Sequence, residues 1–296
     1  MALDNVGSIL NSGSPLTSFK LLLMQGSLSR PGLRWLFHAL LRPFVRDGRI
    51  AVTYRCHNRT LTSYVRVSEL ESDYYSTREL GVDDVYSLDP AFHPDLVIDG
   101  GGNIGLFTLR AKACLEAAGD ASARFVICEP VPQNVAQIRQ HLALNRMQAE
   151  IQDVCLGGSH STIPFYCREA NQSSFESAKP YTHVLNVPVV TLRDVIDPRA
   201  ERILIKLDIE GMEVEALSAY IPREDRPVYL VGELHQVSRN APHMERLFRA
   251  FGWTLELIDI SHDTCNFRGF SPAAQHLLPS IASLEPASPE PVPSLA

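Results

Sequence analysis

The sequence predicts an α/β fold, in which a doubly wound parallel sheet forms the main domain and a smaller N-terminal α+β cap precedes it. From Asp95 onward, short apolar segments alternate with segments of helical periodicity. The first apolar segment runs into a glycine-rich turn and then into a helix. The 296 residues are 45% hydrophobic and 21% charged, which allows a sizeable core and excludes a fibrous or wholly disordered chain.

The chain divides into three predicted parts. Two apolar, cationic stretches at 19–24 and 33–45 precede a hairpin predicted from strands at 50–56 and 61–67. The last 18 residues contain five prolines and few apolar anchors. We therefore expect a helical and hairpin cap at 1–90, the main domain at 91–278 and a disordered tail at 279–296.

Within the main domain, repeated strand–helix units indicate a parallel sheet whose ligands lie beyond the carboxyl ends of the strands. The interval 157–186 is polar and is expected to be a loop. The predicted strands lie at 96–99, 125–128, 151–156, 187–192, 203–207, 228–231 and 253–260, and the predicted helices at 104–118, 133–147, 212–220 and 242–251.

Charge is distributed unevenly along the chain. The net charge is -7, but residues 1–50 hold six Lys or Arg against two Asp, so the other 246 residues carry -11. An acidic body argues against a nucleic-acid partner, whose binding depends on neutralising phosphates. In the basic segment, Leu33, Phe37 and Leu40 recur at helical spacing. We favour a packing helix of the cap there over an amphipathic helix that binds a membrane surface.

The cysteines indicate a reducing environment. All six lack C-x-x-C spacing and several lie in apolar runs, so they are expected to be buried free thiols and not a disulfide framework or zinc site. The N-terminus lacks a signal-peptide pattern, and no window approaches about 18 apolar residues. The expected compartment is the cytoplasm.

The glycine-rich turn after the first strand admits two interpretations. Gly100, Gly102 and Gly105 fit the dinucleotide pattern G-x-G-x-x-G. An anionic side chain such as Asp99 is unfavourable beside a pyrophosphate, but it suits the sulfonium and ammonium groups of S-adenosylmethionine. The second interpretation, Asp-x-Gly-x-Asn-x-Gly, is carried by Asp99, Gly101, Asn103 and Gly105.

Two further strands end in acids. Glu129 follows the second strand, where a carboxylate can accept the ribose hydroxyls of an adenosine or, alternatively, charge the N-terminus of the next helix. Asp208, Glu210 and Glu213 follow the strand at 203–207. Clustered acids at a strand end lie where cofactor and substrate meet, and Asp208 is the one expected to face the reactive end of the cofactor.

Four segments follow one another along the main domain: DGGGNIG at 99–105, CEP at 128–130, VTLRD at 190–194 and IKLDIEGME at 205–213. Together they resemble the FkbM family of S-adenosylmethionine-dependent methyltransferases. The resemblance covers about residues 90–260 and implies a Rossmann-like class I methyltransferase fold, with a seven-stranded sheet ending in an antiparallel strand pair, and O-methylation of a hydroxyl on a sugar, polyketide or other small metabolite. It also implies that Asp99, Gly101, Asn103 and Gly105 hold the methionine part of S-adenosylmethionine, that Glu129 holds the ribose, and that Asp208 lies beside the donor methyl.

Methyl transfer to a hydroxyl requires a group that removes the proton. His235 is the candidate base, because it ends the strand after the one that carries Asp208 and its ordinary pKa near 6.5 suits neutral pH. A rival arrangement makes Asp208, Glu233 and His235 a divalent-metal site. The expected site contains no metal, with Asp208 and His235 as its catalytic residues.

Two other classes of function remain open from the sequence. One is an NAD(P)-dependent oxidoreductase that uses the turn with Gly100, Gly102 and Gly105. The other is a non-catalytic binding protein that keeps the nucleoside fold. A hydroxylated small-molecule acceptor is the expected partner.

Overall fold

The computed structural model describes residues 14–167, 183–260 and 263–278. The predicted tail at 279–296 and the first 13 residues of the predicted cap lie outside the described residues, as does half of the interval 157–186, namely residues 168–182.

The cap begins with helix α1, Pro15–Ser29. The Ser14 hydroxyl accepts a hydrogen bond from the Thr17 backbone N–H at 3.1 Å, and the proline occupies the first helical turn, where its missing N–H costs nothing. Leu21 and Met24 on this helix are fully buried in the core of the cap. The helix is therefore fixed by its N-terminal cap and by one apolar face.

The rest of the cap is a small antiparallel sheet flanked by short helices. Its elements are α2 (Arg34–Leu41), β1 (Val45–Arg46), β2 (Arg49–Cys56), β3 (Arg59–Arg66), α3 (Leu70–Ser76) and a π-helical segment at Thr77–Asp83. Strands β2 and β3 pair along their whole length, which confirms the predicted hairpin.

A seven-stranded sheet forms the main domain. Its elements are β4 (Leu96–Gly100), α4 (Leu106–Ala117), β5 (Arg124–Cys128), α5 (Pro132–Leu144), β6 (Glu150–Gln152), β10 (Ile203–Leu207), α7 (Glu213–Tyr220), β11 (Val228–His235), α8 (Val237–Ala250), β12 (Thr254–Ile258) and β13 (Thr264–Phe270). In spatial order the strands are β6-β5-β4-β10-β11-β13-β12, and every neighbouring pair from β6 to β11 is parallel. β13 lies antiparallel between β11 and β12.

The central strands are buried on both faces, as the unbroken apolar runs predict. Ile98 and Ile205 contribute to the core on one face of the sheet, whereas Val97 and Leu204 contribute to the core on the other. This alternation follows from the two-residue repeat of a strand. The parallel pairing of β4, β5, β10 and β11 places their carboxyl ends at one edge of the doubly wound sheet.

The cap packs directly onto the main domain. The backbone N–H of Tyr64 in β3 donates to Nε2 of His141 in α5 at 2.8 Å, and the N–H of Thr62 donates to the side chain of Asn145 at 2.9 Å. Burial lowers the pKa of the His141 imidazole to about 4, so the ring is neutral and able to accept. The two parts also share one apolar core.

Several predicted boundaries differ from the observed ones, such as the helix predicted at 242–251, which begins at Val237. The strand predicted at 151–156 is two strands in different sheets, because β7 (Cys155–Leu156) leaves the main sheet and pairs with β9. The interval predicted as a loop contains β8 (Ser161–Cys167) and the start of β9 (His183–Val190). The strand predicted at 187–192 ends at Val190, and the short helix α6 (Leu192–Val195) follows it.

The antiparallel strand pair that the resemblance implies is present, but the residue pattern did not locate strand β13. Its buried residues, Cys265 and Phe267, alternate with half-buried polar ones such as Asn266 and Arg268. That is the pattern of a strand near a sheet edge, and it lacks the continuous apolar run that marked the central strands.

Candidate active site

The glycine-rich turn after β4 is packed against the loop after β10. Gly101 has a φ of +72°, and a Cβ atom there would overlap the carbonyl oxygen of Asp208. The N–H groups of Gly101 and Gly102 both donate to the carbonyl oxygen of Cys128 at 3.0 Å. Only glycine satisfies both the backbone conformation and the close approach at position 101. The turn thus ties the ends of β4, β5 and β10 together.

Glu129 is buried beside this turn. Its carboxylate accepts hydrogen bonds from the backbone N–H of Asn103 at 2.8 Å and of Val131 at 3.0 Å, and from the Asn134 side chain at 3.3 Å. Burial raises the pKa of Glu129 to about 7, although these three donors oppose the rise. The carboxylate is therefore held rigidly at the end of β5, where an adenosine ribose is expected. Its bond to Val131 also satisfies a donor next to the N-terminus of α5, so both sequence interpretations are compatible with the geometry.

Asp99 lies beneath the turn and is fully buried. Thr108 donates to Oδ2 of Asp99 at 2.8 Å, and Nζ of Lys206 lies 3.4 Å from Oδ1. The Lys206 ammonium also donates to the carbonyl oxygens of Gly100 and Gly101, at 3.1 and 2.6 Å. Sequence reasoning missed Lys206, although a lysine inside an apolar strand is itself a signal. It compensates the buried aspartate and fixes the shape of the turn.

A second group of polar side chains surrounds His235 at the ends of β10 and β11. Nδ1 of His235 lies 3.0 Å from Oε1 of Glu213, and Nε2 lies 3.7 Å from Oε2 of Glu210 and 4.0 Å from Oδ1 of Asp208. The Glu213 carboxylate also accepts the N–H groups of Ile209 and Gly211. Glu213 thus orients the imidazole ring toward Asp208 and Glu210. The structure brings together the two residues predicted to be catalytic.

The charge state of His235 differs from the sequence-based expectation. Burial works to lower the pKa of the imidazole, but the hydrogen bond and charge of Glu213, with the charges of Glu210 and Asp208, raise it to about 10. We expected the ordinary pKa near 6.5, which applies to an imidazole ring without these charged neighbours. The ring therefore carries a proton at neutral pH.

The neighbouring acids are crowded enough to affect one another. Burial raises the pKa of Glu210 to about 8, with His235 opposing the rise and the nearby carboxylates adding to it. Glu210 has a φ of +59°, a left-handed conformation that is strained for a residue with a side chain. Glu79 is partly exposed, and partial desolvation together with the charges of Glu233 and Asp208 raises its pKa. This edge of the sheet therefore concentrates groups that exchange protons near neutral pH.

Two of the groups come from the segment before the main domain and were not predicted from the sequence. The hydroxyl of Tyr86 donates to Oδ2 of Asp208 at 3.3 Å, and Glu79 belongs to the π-helical segment. A rare π-helical turn is frequently found at functional sites. The predicted cap thus contributes the Tyr86 hydroxyl that contacts Asp208, and Glu79, which interacts electrostatically with the same cluster.

The three residues of the rival metal arrangement also lie together. Asp208, Glu233 and His235 each offer one ligand atom within 4.8 Å of the others. Oxygen and imidazole ligands of this kind suit divalent cations.

The strand order, with β13 antiparallel beside β11, and the turn and acid that follow β4 and β5 define a class I S-adenosylmethionine-dependent methyltransferase. S-adenosylmethionine is its methyl donor. The chain belongs to the methyltransferase FkbM family, because the model of the methyltransferase FkbM domain matches residues 99–254, more than half of its length. The family resemblance read from the sequence is confirmed. Membership favours the methyltransferase interpretation of the glycine turn over the dinucleotide one.

The solved structures that match this chain are distant from it in sequence. TYW2 of M. jannaschii in complex with AdoMet has a TM-score of 0.43 at 9% identity, and the match covers 77% of this chain and 88% of that one. A putative caffeoyl-CoA O-methyltransferase from Staphylococcus aureus has a TM-score of 0.39 at 11% identity, covering 64% and 81%. The precorrin-6y C5,15-methyltransferase of Geobacter metallireducens GS-15 has a TM-score of 0.38 at 12% identity, covering 60% and 80%.

A comparison with curated protein sequences found no match. Within the described ranges, the helices are too short or too polar to cross a membrane.

Proposed function

We propose that this methyltransferase acts on a hydroxyl oxygen of a small hydroxylated metabolite, such as a sugar or a polyketide. The observation that carries the proposal is the cluster of proton-exchanging groups around Asp208 and His235, directly beside the glycine turn. A hydroxyl is a weak nucleophile until its proton is removed, so O-methylation needs such groups near the reacting atom. The close approach of Asp208 to Gly101 brings the two halves of the site together.

The donor half of the site is proposed to consist of the residues on the turn and at the end of β5. Gly101, Asn103 and Gly105 would hold the methionine part, with the buried charge of Asp99 beneath them, and Glu129 would accept the ribose hydroxyls. Two features support the fit of these residues to S-adenosylmethionine. The Glu129 carboxylate is held in place by two backbone N–H groups, and the turn has no space for a Cβ atom at Gly101. When bound, S-adenosylmethionine supplies a methyl group made electrophilic by its sulfonium.

Asp208 and His235 are proposed to handle the acceptor's proton. Because His235 is protonated at neutral pH, we assign the first acceptance of the proton to the Asp208 carboxylate. Nε2 of the imidazolium lies 4.0 Å from Oδ1 of that carboxylate, so a positive charge stands beside it. Tyr86 and Lys206 hold the same carboxylate from its other side, at 3.3 and 3.7 Å from Oδ2.

The charge of the site supports a neutral or cationic acceptor in preference to nucleic acid. Asp208 and Glu233 lie at the same sheet edge, and the chain outside its first fifty residues carries -11. A polyphosphate would meet repulsion there. We also propose that residues 1–90 act as a cap that helps to select the acceptor, because Tyr86 and Glu79 come from this part of the chain.

A cytoplasmic location belongs to the same proposal. All six cysteines lie within the described residues as buried free thiols, which fits the sequence prediction and a reducing compartment.

Labelled methyl transfer tests the proposal. The full chain is incubated with methyl-labelled S-adenosylmethionine and, separately, with the small-molecule, protein and RNA fractions of its own cells. We expect label in a small molecule, as a methyl ether identified by NMR. Label in RNA or protein, or on carbon or nitrogen, would contradict O-methylation of a metabolite.

A metal-assisted version of the reaction is the second candidate. It is favoured by the proximity of Asp208, Glu233 and His235. A divalent cation there would polarise the acceptor oxygen and lower the pKa of its hydroxyl. Loss of transfer after dialysis against a chelator, with recovery on adding Mg²⁺ or Mn²⁺, would favour this version, and full activity after chelation would exclude it.

A further inference from the structure

The first two helices of the cap expose an unusual amount of apolar surface. Six of the twelve large hydrophobic side chains that are exposed in the described residues fall between positions 16 and 40. Trp35 is 70% exposed and Phe19 is 46% exposed. The other four are Leu16, Leu33, Leu36 and Leu40. Such a concentration in one short segment is typical of an interaction surface.

Helix α2 shows how this surface arises. We predicted a packing helix, but only Leu41 of α2 is buried. Leu33, Leu36 and Leu40 are spaced three and four positions apart, so they lie on one side of the helix and face solvent. A helix that merely completes a core buries such a stripe.

Helix α1 is joined to this surface by aromatic packing. The ring of Phe19 contacts that of Phe44, just after α2, with centroids 6.2 Å apart and planes near perpendicular. The Lys20 ammonium lies 5.4 Å from the centre of the same Phe44 ring. Gly26 lies directly against the ring of Phe37. The two helices therefore form one unit, which we call the α1–α2 face.

The charges on this face are all positive. Residues 14–46 contain five Lys or Arg and no Asp or Glu, so this segment carries +5 while the rest of the chain carries -12. Four of these cations are exposed and form no ion pair with a carboxylate in the part of the chain that the structure describes. They are Arg30, Arg34, Arg42 and Arg46.

We propose that the α1–α2 face docks onto an anionic lipid surface, with the apolar side chains entering the interface and the arginines contacting lipid phosphates. Cationic helices with Trp and Leu on one side bind membranes in this way, lying in the plane of the interface. A phosphate backbone would satisfy the arginines but would leave Trp35, Leu36 and Leu40 in water. A second copy bound through the same face would place like charges against each other.

Vesicle co-sedimentation of the full chain tests the proposal. We expect at least about tenfold tighter binding to phosphatidylcholine vesicles that contain phosphatidylserine than to phosphatidylcholine alone, and weaker binding as salt increases. The chain has two tryptophans, and Trp253 is buried, so a blue shift of fluorescence on binding reports on Trp35.

Two variants separate the docking surface from the fold. Trp35→Ser with Leu36→Ser, and Arg34→Glu with Arg42→Glu, are each expected to abolish vesicle binding. The matched control, Phe251→Ser with Arg246→Glu, changes an exposed aromatic and an exposed cation elsewhere and is expected to bind as the wild type does. Unchanged affinity for S-adenosylhomocysteine in every variant shows that the donor site is intact.

Three results would overturn the proposal. They are equal or absent binding to the two kinds of vesicle, binding to an oligonucleotide with no binding to vesicles, and a concentration-dependent dimer that Trp35→Ser dissociates. Each of these leaves the methyl-transfer assay unaffected, so the two proposals fail separately.

Discussion

The carbonyl oxygen of Asp208 occupies the space that a side chain at Gly101 would need. This contact joins the turn after β4 to the loop after β10, which we propose to be the donor and acceptor halves of the site. Lys206 reinforces the junction, because its ammonium bonds the turn and lies near both Asp99 and Asp208. A change that displaces the backbone on either side of this contact should therefore affect both halves, whereas a change confined to the Asp208 side chain leaves the contact in place.

Gly101→Ala should weaken binding of S-adenosylhomocysteine at least about tenfold and lower the free energy of unfolding by about 2 kcal/mol or more. The added Cβ would overlap Asp208 in a backbone conformation that alanine disfavours. Calorimetric titration and urea unfolding measure the two effects. Gly32→Ala is the matched control, since nothing lies within 4 Å of its added Cβ. If Gly101→Ala and Gly32→Ala bind S-adenosylhomocysteine and unfold alike, the turn does not require the close approach of Gly101 to Asp208.

Lys206→Met should destabilise the fold by about 3 kcal/mol or more, because it leaves the buried carboxylate of Asp99 without a compensating charge. Urea unfolding at neutral pH measures the loss. Lys112→Met replaces a lysine that lies over the ring of Phe125, and it should cost much less. A Lys206 variant as stable as the wild type would contradict the role assigned to the pair.

The pH dependence of stability should reveal the proton held by His235. The pKa of this group is about 10 in the folded chain and about 6.5 when unfolded, so folding takes up a proton between these values. Its contribution is fully present below about pH 6.5 and is lost as the pH rises through about 10. The difference in unfolding free energy between the wild type and His235→Gln should therefore narrow from pH 7 to pH 10. A difference in unfolding free energy that stays constant from pH 7 to pH 10 would indicate that the imidazole ring of His235 is uncharged.

Glu129→Gln should raise the Kd for S-adenosylhomocysteine about tenfold or more, because an amide cannot replace a carboxylate that accepts several hydrogen bonds. Calorimetric titration measures the change. Glu245→Gln, on the exposed side of α8, should bind as the wild type does. If Glu129→Gln binds S-adenosylhomocysteine with wild-type affinity, the role of Glu129 is only to stabilise the N-terminus of α5.

The central fold could be predicted from the sequence because its strands are buried on both faces. Ile203–Leu207 was located to the residue, since an unbroken apolar run between polar flanks admits little else. The glycine turn and the acids Glu129 and Asp208 were identified for a related reason, because they follow such runs directly.

Other parts depended on contacts between distant segments. β13 contains polar residues at alternate positions, and its place between β11 and β12 becomes visible only in the sheet. Tyr86 reaches Asp208 across 122 positions of sequence. The pKa of His235 is set by carboxylates on another strand end, which no local pattern reveals.

The most direct test compares donor affinity and methyl transfer in Asp208→Asn, with Glu129→Gln measured in parallel. We expect Asp208→Asn to lower the rate of transfer at saturating donor by about a hundredfold or more while the Kd for S-adenosylhomocysteine stays within about twofold. Glu129→Gln should show the opposite pattern, with weak binding and a nearly normal rate at saturation. Transfer at the wild-type rate in Asp208→Asn would contradict the assignment of proton removal to the Asp208–His235 pair.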